Sequence, residues 1–128
     1  MFENSDAFSG MSSDDIEASR RFYESVLGLE VRDEGMGGLI SVQLPKGGAV
    51  LIYPKDDHEP ATFTILNFPV ADIDAVVDEL VSKGVSLERY EGMGQDDKGI
   101  VRGKVAGRGP DIAWFKDPAG NILSVLSS

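Results

Sequence analysis

Residues 15–31, DIEASRRFYESVLGLEV, and residues 72–88, DIDAVVDELVSKGVSLE, follow one plan. In each, an Asp-Ile pair opens an amphipathic helix that runs into a glycine and then a fresh β-type segment. Each stretch is also preceded by an apolar run. Self-similarity at this spacing means one supersecondary unit used twice, and that decides the architecture before any single side chain is considered. Two half-sheets of this kind, set side by side, are expected to leave a ligand-sized groove between them.

The local signals support the repeat. Asp14 or Asp15 is placed to cap the first helix, its carboxylate accepting from unpaired backbone N–H groups, and Glu17 adds negative charge to the first turn. Ile16, Phe22, Tyr23, Val26 and Leu27 give that helix an apolar face, and Gly28 ends it as a C′ glycine. Three β-type runs follow, over 29–34, 39–44 and 49–53, separated by Gly- and Pro-rich turns. The polar segment PKDDHEP (54–60) reads as a linker. The second unit opens with a strand over 62–68, and Asp72 caps its helix. Ile73, Val76, Val77, Leu80 and Val81 form the core-facing stripe. Gly84 stops the helix before a strand over 85–90. Residues 91–110, EGMGQDDKGIVRGKVAGRGP, read as a long Gly-rich loop, the kind that serves as a lid or lies against a partner subunit. A hairpin over 111–116 and 121–126 turns at Asp117-Pro118-Ala119-Gly120. The predicted class is α+β: a single domain over 1–128 made of two βαβββ modules, about 6–54 and 62–127, joined by a linker at 55–61. Each module is expected to be a curved mixed sheet with one helix on its outer face.

Composition narrows the function. The chain has 128 residues, 41% of them hydrophobic, which is enough for one packed core. Twenty-two acidic residues against 12 basic ones give a net charge of −10, a field that repels phosphate backbones, so no nucleic-acid partner is expected. Apolar runs are short and broken by charge, so no membrane partner is expected either. The N-terminal MFENSDAFSG lacks the basic start and apolar stretch of a signal peptide, so a cytoplasmic location is expected. With no cysteine and one histidine, disulfides and thiolate-bound zinc are excluded.

The chain resembles the vicinal oxygen chelate superfamily, which includes glyoxalase I, extradiol dioxygenases and the fosfomycin- and bleomycin-resistance proteins. The resemblance rests on Asp15-Ile16 leading to Arg21-Phe22-Tyr23 and Val26-Leu27-Gly28-Leu29, and on Phe115-Lys116-Asp117-Pro118-Ala119-Gly120-Asn121 before the last strand. With the repeated module it spans nearly the whole chain. It implies a groove between modules and a homodimer. In the superfamily's enzymes it also implies a divalent metal held by His or Glu from the first and last strands of each module. Carried onto this sequence, those ligand positions fall on Phe8, Ile65, Ser124 and, within one residue, Ile52. Phe and Ile have no donor atom and a Ser hydroxyl is a poor ligand. The expectation is therefore no metal and no cofactor.

Strand alternation extends the candidate site. If Phe8, Ile65 and Ser124 mark the groove face, Gly10, Ser12, Phe63 and Asn67 share it, and the pairing expected around the DPAG turn adds Phe115. Ser41, Gln43 and Tyr90 are the more polar parity of their strands. The expected ligand-binding groove is thus Phe8, Ser12, Ser41, Gln43, Ile52, Ile65, Asn67, Tyr90, Phe115 and Ser124. The same side chains would equally serve as ordinary core. His58, between Asp57 and Glu59, reads as an exposed linker histidine rather than a general base. The acidic pairs Asp56-Asp57 and Asp96-Asp97 read as solvated charge rather than a Ca²⁺ or Mg²⁺ site. The glycines of 92–109 do not follow a strand and open a helix, as a phosphate-binding loop must.

Three functions remain open at this point. The first is a metal-free protein binding a small, largely uncharged organic molecule. The second is a metal-dependent enzyme of the lactoylglutathione-lyase or dioxygenase type. The third is a metal-free enzyme using side-chain acid–base chemistry, with Tyr90, His58 or Glu88 as candidates. Whether the protein is an enzyme is left undecided by the sequence.

Overall fold

The structure is a computed structural model describing residues 1–128, with every side chain except that of Met36. The chain divides into two compact units, 1–59 and 60–128, at the linker. The first contains β1 (Ser9–Ser13), α1 (Ile16–Arg21), β2 (Val31–Asp33), β3 (Ile40–Gln43) and β4 (Ala49–Pro54). The second contains β5 (Thr64–Pro69), α2 (Ile73–Ser82), β6 (Val101–Arg102), α3 (Gly103–Ala106), β7 (Asp111–Lys116) and β8 (Ile122–Ser127). The sheet orders are β1-β4-β3-β2 and β5-β8-β7-β6. In both, the first strand pairs in parallel with the last and the remaining pairs are antiparallel. The internal repeat is therefore a repeat of topology. Among the described residues no helix is long and apolar enough to cross a membrane.

Both helix starts form as the sequence dictates. The Asp15 carboxylate accepts from the Ala18 N–H and that of Asp72 from the Ala75 N–H, each at 3.1 Å. These bonds satisfy donors that the helix itself leaves unpaired. α1 widens into a π-helical turn over Phe22–Val26. Gly28, at φ 71°, then redirects the chain, a conformation that costs glycine little. α1 is tied to its sheet by a buried contact in which the Ser19 hydroxyl donates to Ser13 Oγ at 2.7 Å. Tyr23, fully buried, meets the Met11 thioether at 3.7 Å. Met11, Ile40, Val42, Val50 and Ile52 complete the core of the first unit. In the second, Ile73, Val77 and Leu80 of α2 are buried, as are Ala113, Phe115, Leu123 and Val125 of the sheet. Val81, expected in the α2 stripe, is 55% exposed because it lies at the edge of the helix face.

Two expectations about the second unit are corrected. No strand forms over 85–90; one bond, from the Glu88 N–H to the Trp114 carbonyl at 2.8 Å, lays that segment beside β7. The strand that completes the module is β6, inside the segment read as a loop, and α3 follows it directly. The same segment has an apolar anchor, Ile100, which is fully buried. It also has polar staples. The Gln95 side chain accepts from the Tyr90 N–H and donates to the Glu88 and Gly99 carbonyls. Asp96 Oδ1 accepts from the Lys98 and Ile100 N–H groups.

Candidate functional site

Each sheet has one face covered by its helix and one that the helix leaves open, although Ser41, Trp114 and Ser124 on the latter are only 6%, 9% and 0% exposed, and register assigns the strand residues to a side. In the first sheet Met11, Ile52 and Ile40 stand opposite one another and are buried on the α1 side. Ile52 is therefore corrected: it belongs to the covered face, and Leu51 and Tyr53 are the β4 residues on the open one. Ser12 and Ser41 project to the open face, with Gln43 in the same parity. The Gln43 amide donates to Ser41 Oγ at 2.8 Å. Phe8 precedes β1 and is 69% exposed. His58 is not the isolated linker residue the sequence suggested. It is half-buried, and its Nδ1 lies 2.5 Å from Ser12 Oγ on the open face. That contact spans 46 residues of chain, so no local pattern announces it.

In the second sheet the decisive feature is the turn. Asp117 Oδ1 accepts from the Ala119 and Asn121 N–H groups, and Oδ2 from the Asn121 amide, all at 2.9 Å. The turn fixes the register as Lys116 opposite Ile122, Phe115 opposite Leu123 and Trp114 opposite Ser124. Phe115 is corrected accordingly. It lies on the α2 side at 1% exposure, one residue out of the phase assumed from the sequence. A one-residue slip in register turns every side chain to the opposite face. The aromatic residue on the open face is Trp114, which the sequence reading did not single out.

Asn67, Ser124 and Trp114 form one row across β5, β8 and β7. The Ser124 hydroxyl, fully buried, donates to Asn67 Oδ1 at 2.5 Å. A bulge between Thr64 and Leu66 displaces Ile65 from regular pairing. Thr64 sits beside Trp114 instead, accepting from the indole Nε1–H at 3.1 Å. Tyr90 packs edge-on against Trp114, with ring centroids 5.5 Å apart and planes at 73°. Its hydroxyl is buried and finds no hydrogen-bond partner among the described residues. Burial pushes the phenol pKa above its ordinary value, with the nearby Glu88 carboxylate adding to the shift and Lys116 opposing it. Tyr90 thus keeps its proton and remains a donor.

A divalent metal does not fit these residues. Phe8 and Ile65 carry no donor atom, Ile52 faces the helix, and Ser124 is committed to Asn67. Among the described residues no group of three or more His, Cys, Asp or Glu is placed to hold a metal ion. A cavity of about 440 Å³ opens elsewhere, between α2 and residues 85–89, with Val77, Val81, Val85 and Leu87 in its walls. Lys98 at its rim already pairs with Asp78 and Asp74. Behind it the Arg102 guanidinium grips Asp74 with two bonds of 2.7 and 2.9 Å and Asp96 with one of 2.9 Å.

Arg102 is the main cause holding the Asp74 carboxyl at a pKa of about 2, against an ordinary 3.8, with Lys98 assisting. A depressed carboxylate pKa favours the native state above the ordinary value, and that contribution disappears as pH falls through the native one. The tie between α2 and the β6 segment is therefore expected to hold above pH 3.8 and to be lost as pH approaches 2. Amide exchange at Ile100 and Arg102, measured from pH 5 downwards, checks this. An Asp74→Asn variant should show the loosened pattern already at pH 5.

The chain belongs to the glyoxalase/bleomycin resistance protein/dioxygenase superfamily, whose family model matches residues 9–125. Among solved structures, a putative glyoxalase family protein from Bacillus anthracis superposes with a TM-score of 0.71 at 16% identity, covering 100% of this chain and 99% of that one. A genomically encoded fosfomycin resistance protein from Listeria monocytogenes gives a TM-score of 0.69 at 13% identity, covering 95% and 91%. An antibiotic binding protein from a Streptomyces species gives 0.64 at 20% identity, covering 97% of each. At these identities the likeness is one of fold. A search of curated protein sequences returns no match.

Proposed function

We propose that the chain is a metal-independent binding protein for a small, largely uncharged organic molecule, taken up on the open face of its second sheet. The observation that carries this reading is the arrangement around Trp114. An aromatic pair stands beside neutral hydrogen-bonding groups (Thr64, Ser124, Asn67 and the unpartnered Tyr90 hydroxyl), and the charges nearest Tyr90, Lys116 and Glu88, are paired with each other at 3.4 Å. Apolar walls with a few fixed polar groups are the ordinary makeup of a small-molecule site. A relative of the same fold is described as antibiotic-binding, and this reading gives the present chain a role of that class. Native mass spectrometry of gently purified protein tests it. The expected result is an organic adduct that denaturation releases and EDTA leaves in place. Elemental analysis finding about one Zn, Fe, Ni or Mn per chain would overturn the metal-independent part.

The Ser12–His58 contact favours one second reading, an enzyme using side-chain acid–base chemistry on the open face of the first sheet. Under it, a bound compound is turned over, and His58→Gln abolishes turnover while leaving binding intact.

A further inference from the structure

We propose that Tyr90 is the selecting residue of this site: its phenol O–H donates to a carbonyl-type acceptor on a planar, neutral ligand whose apolar body lies against Trp114. The proposal rests on the small-molecule reading and names the ligand class. The other polar atoms of the row have partners. The indole Nε1–H is spent on Thr64, and the Ser124 hydroxyl on Asn67 Oδ1. That leaves three donors, the Tyr90 O–H, the Asn67 amide N–H₂ and the O–H of Thr64, which is half-buried and already accepts from the indole, so acceptors are what a ligand must bring. Tyr90 and Asn67 differ in setting. Asn67 is exposed and loses nothing to water, whereas the Tyr90 hydroxyl is buried and the described residues give it no partner. A buried polar group without a partner costs stability, and such groups in native proteins call for an explanation. At Tyr90 the phenol also holds its proton, because burial and Glu88 both disfavour the phenolate. Its backbone is fixed, since the Tyr90 N–H is bonded to Gln95 Oε1 at 2.7 Å. The donor is thus preorganised, and a ligand acceptor would gain the full benefit of filling it.

Tyr90→Phe keeps the ring and removes only the hydroxyl, so it separates the two sides of the argument. In the free protein the variant should be at least as stable as the parent, with a Tm raised by about 3–5 °C if the unpaired hydroxyl costs what such groups usually cost. Binding is read with 9-fluorenone and fluorene, a planar pair differing by one carbonyl. The chain has a single tryptophan, so the lone indole N–H cross-peak in an ¹⁵N spectrum reports on the site. The parent should bind fluorenone more tightly than fluorene, and Tyr90→Phe should weaken fluorenone about tenfold while leaving fluorene unchanged. A lower Tm for free Tyr90→Phe would show that the hydroxyl is satisfied in the unliganded protein, for instance by water, and would overturn the proposal. So would equal affinity of the parent for the two compounds, or no effect of the variant, although binding at the indole would then leave the small-molecule reading standing. Failure of both compounds to bind would overturn the ligand class. The broader reading would then be decided by the native mass measurement.

Discussion

Phe115→Ala is expected to lower the unfolding free energy by about 3–5 kcal/mol, the usual loss when a buried aromatic side chain is truncated. Phe115 is 1% exposed and stands opposite Leu123 on the side of the sheet that α2 covers. The truncation removes the largest fully buried side chain of the second unit, on the face where Val77 and Leu80 of α2 are also buried. A denaturant titration checks it. A midpoint that barely moves, combined with a lost ligand, would put Phe115 on the open face and reverse the register argument. The structure predicts the opposite pattern: a large loss of stability at Phe115, and a loss of binding without loss of stability at Tyr90.

The second large effect is expected at Asp117. Its carboxylate is buried and satisfies the Ala119 N–H, the Asn121 N–H and the Asn121 amide together. Asp117→Ala removes the shared acceptor of three donors in a buried turn, and is expected to cost roughly 3 kcal/mol. Asp117→Asn keeps one acceptor oxygen for the two backbone donors but sets an amide against the Asn121 amide. It should recover part of the loss. Equal stability of the Ala and Asn variants would mean that the turn is held by its backbone alone. Because this turn sets which residues of β7 and β8 are opposite one another, the Ala variant should also perturb the Trp114 indole resonance.

The fold was legible because the signals that define it are local. An Asp cap, an apolar stripe at helical spacing and a terminating glycine each lie within a dozen residues, and they occur twice. Both caps and both glycine-terminated helix ends follow from them. The site was less legible because it depends on phase. In DIAWFK (111–116) either parity offers one aromatic side chain, Trp114 or Phe115, so alternation alone cannot choose between them. The choice is made by the pairing across Asp117–Asn121, which a count from the sequence missed by one. The bulge that displaces Ile65 and brings Thr64 to Trp114 has no glycine or proline to announce it. β6 is two residues long, too short for any periodicity. The staples around Gln95 and Asp96 are side-chain bonds to distant backbone groups, so a Gly-rich composition suggested a looser segment than the hydrogen bonding describes. His58 illustrates the same limit, its partner Ser12 being close only in the folded chain.

The most direct test of the central claim follows the single indole N–H of Trp114 while EDTA-treated protein is titrated with neutral organic compounds that raise its Tm. These compounds are expected to shift the Trp114 signal saturably, with the same affinity whether or not Zn²⁺ or Mn²⁺ is then restored. Stabilising compounds that leave Trp114 unmoved, or that act only once a divalent metal is returned, would contradict it.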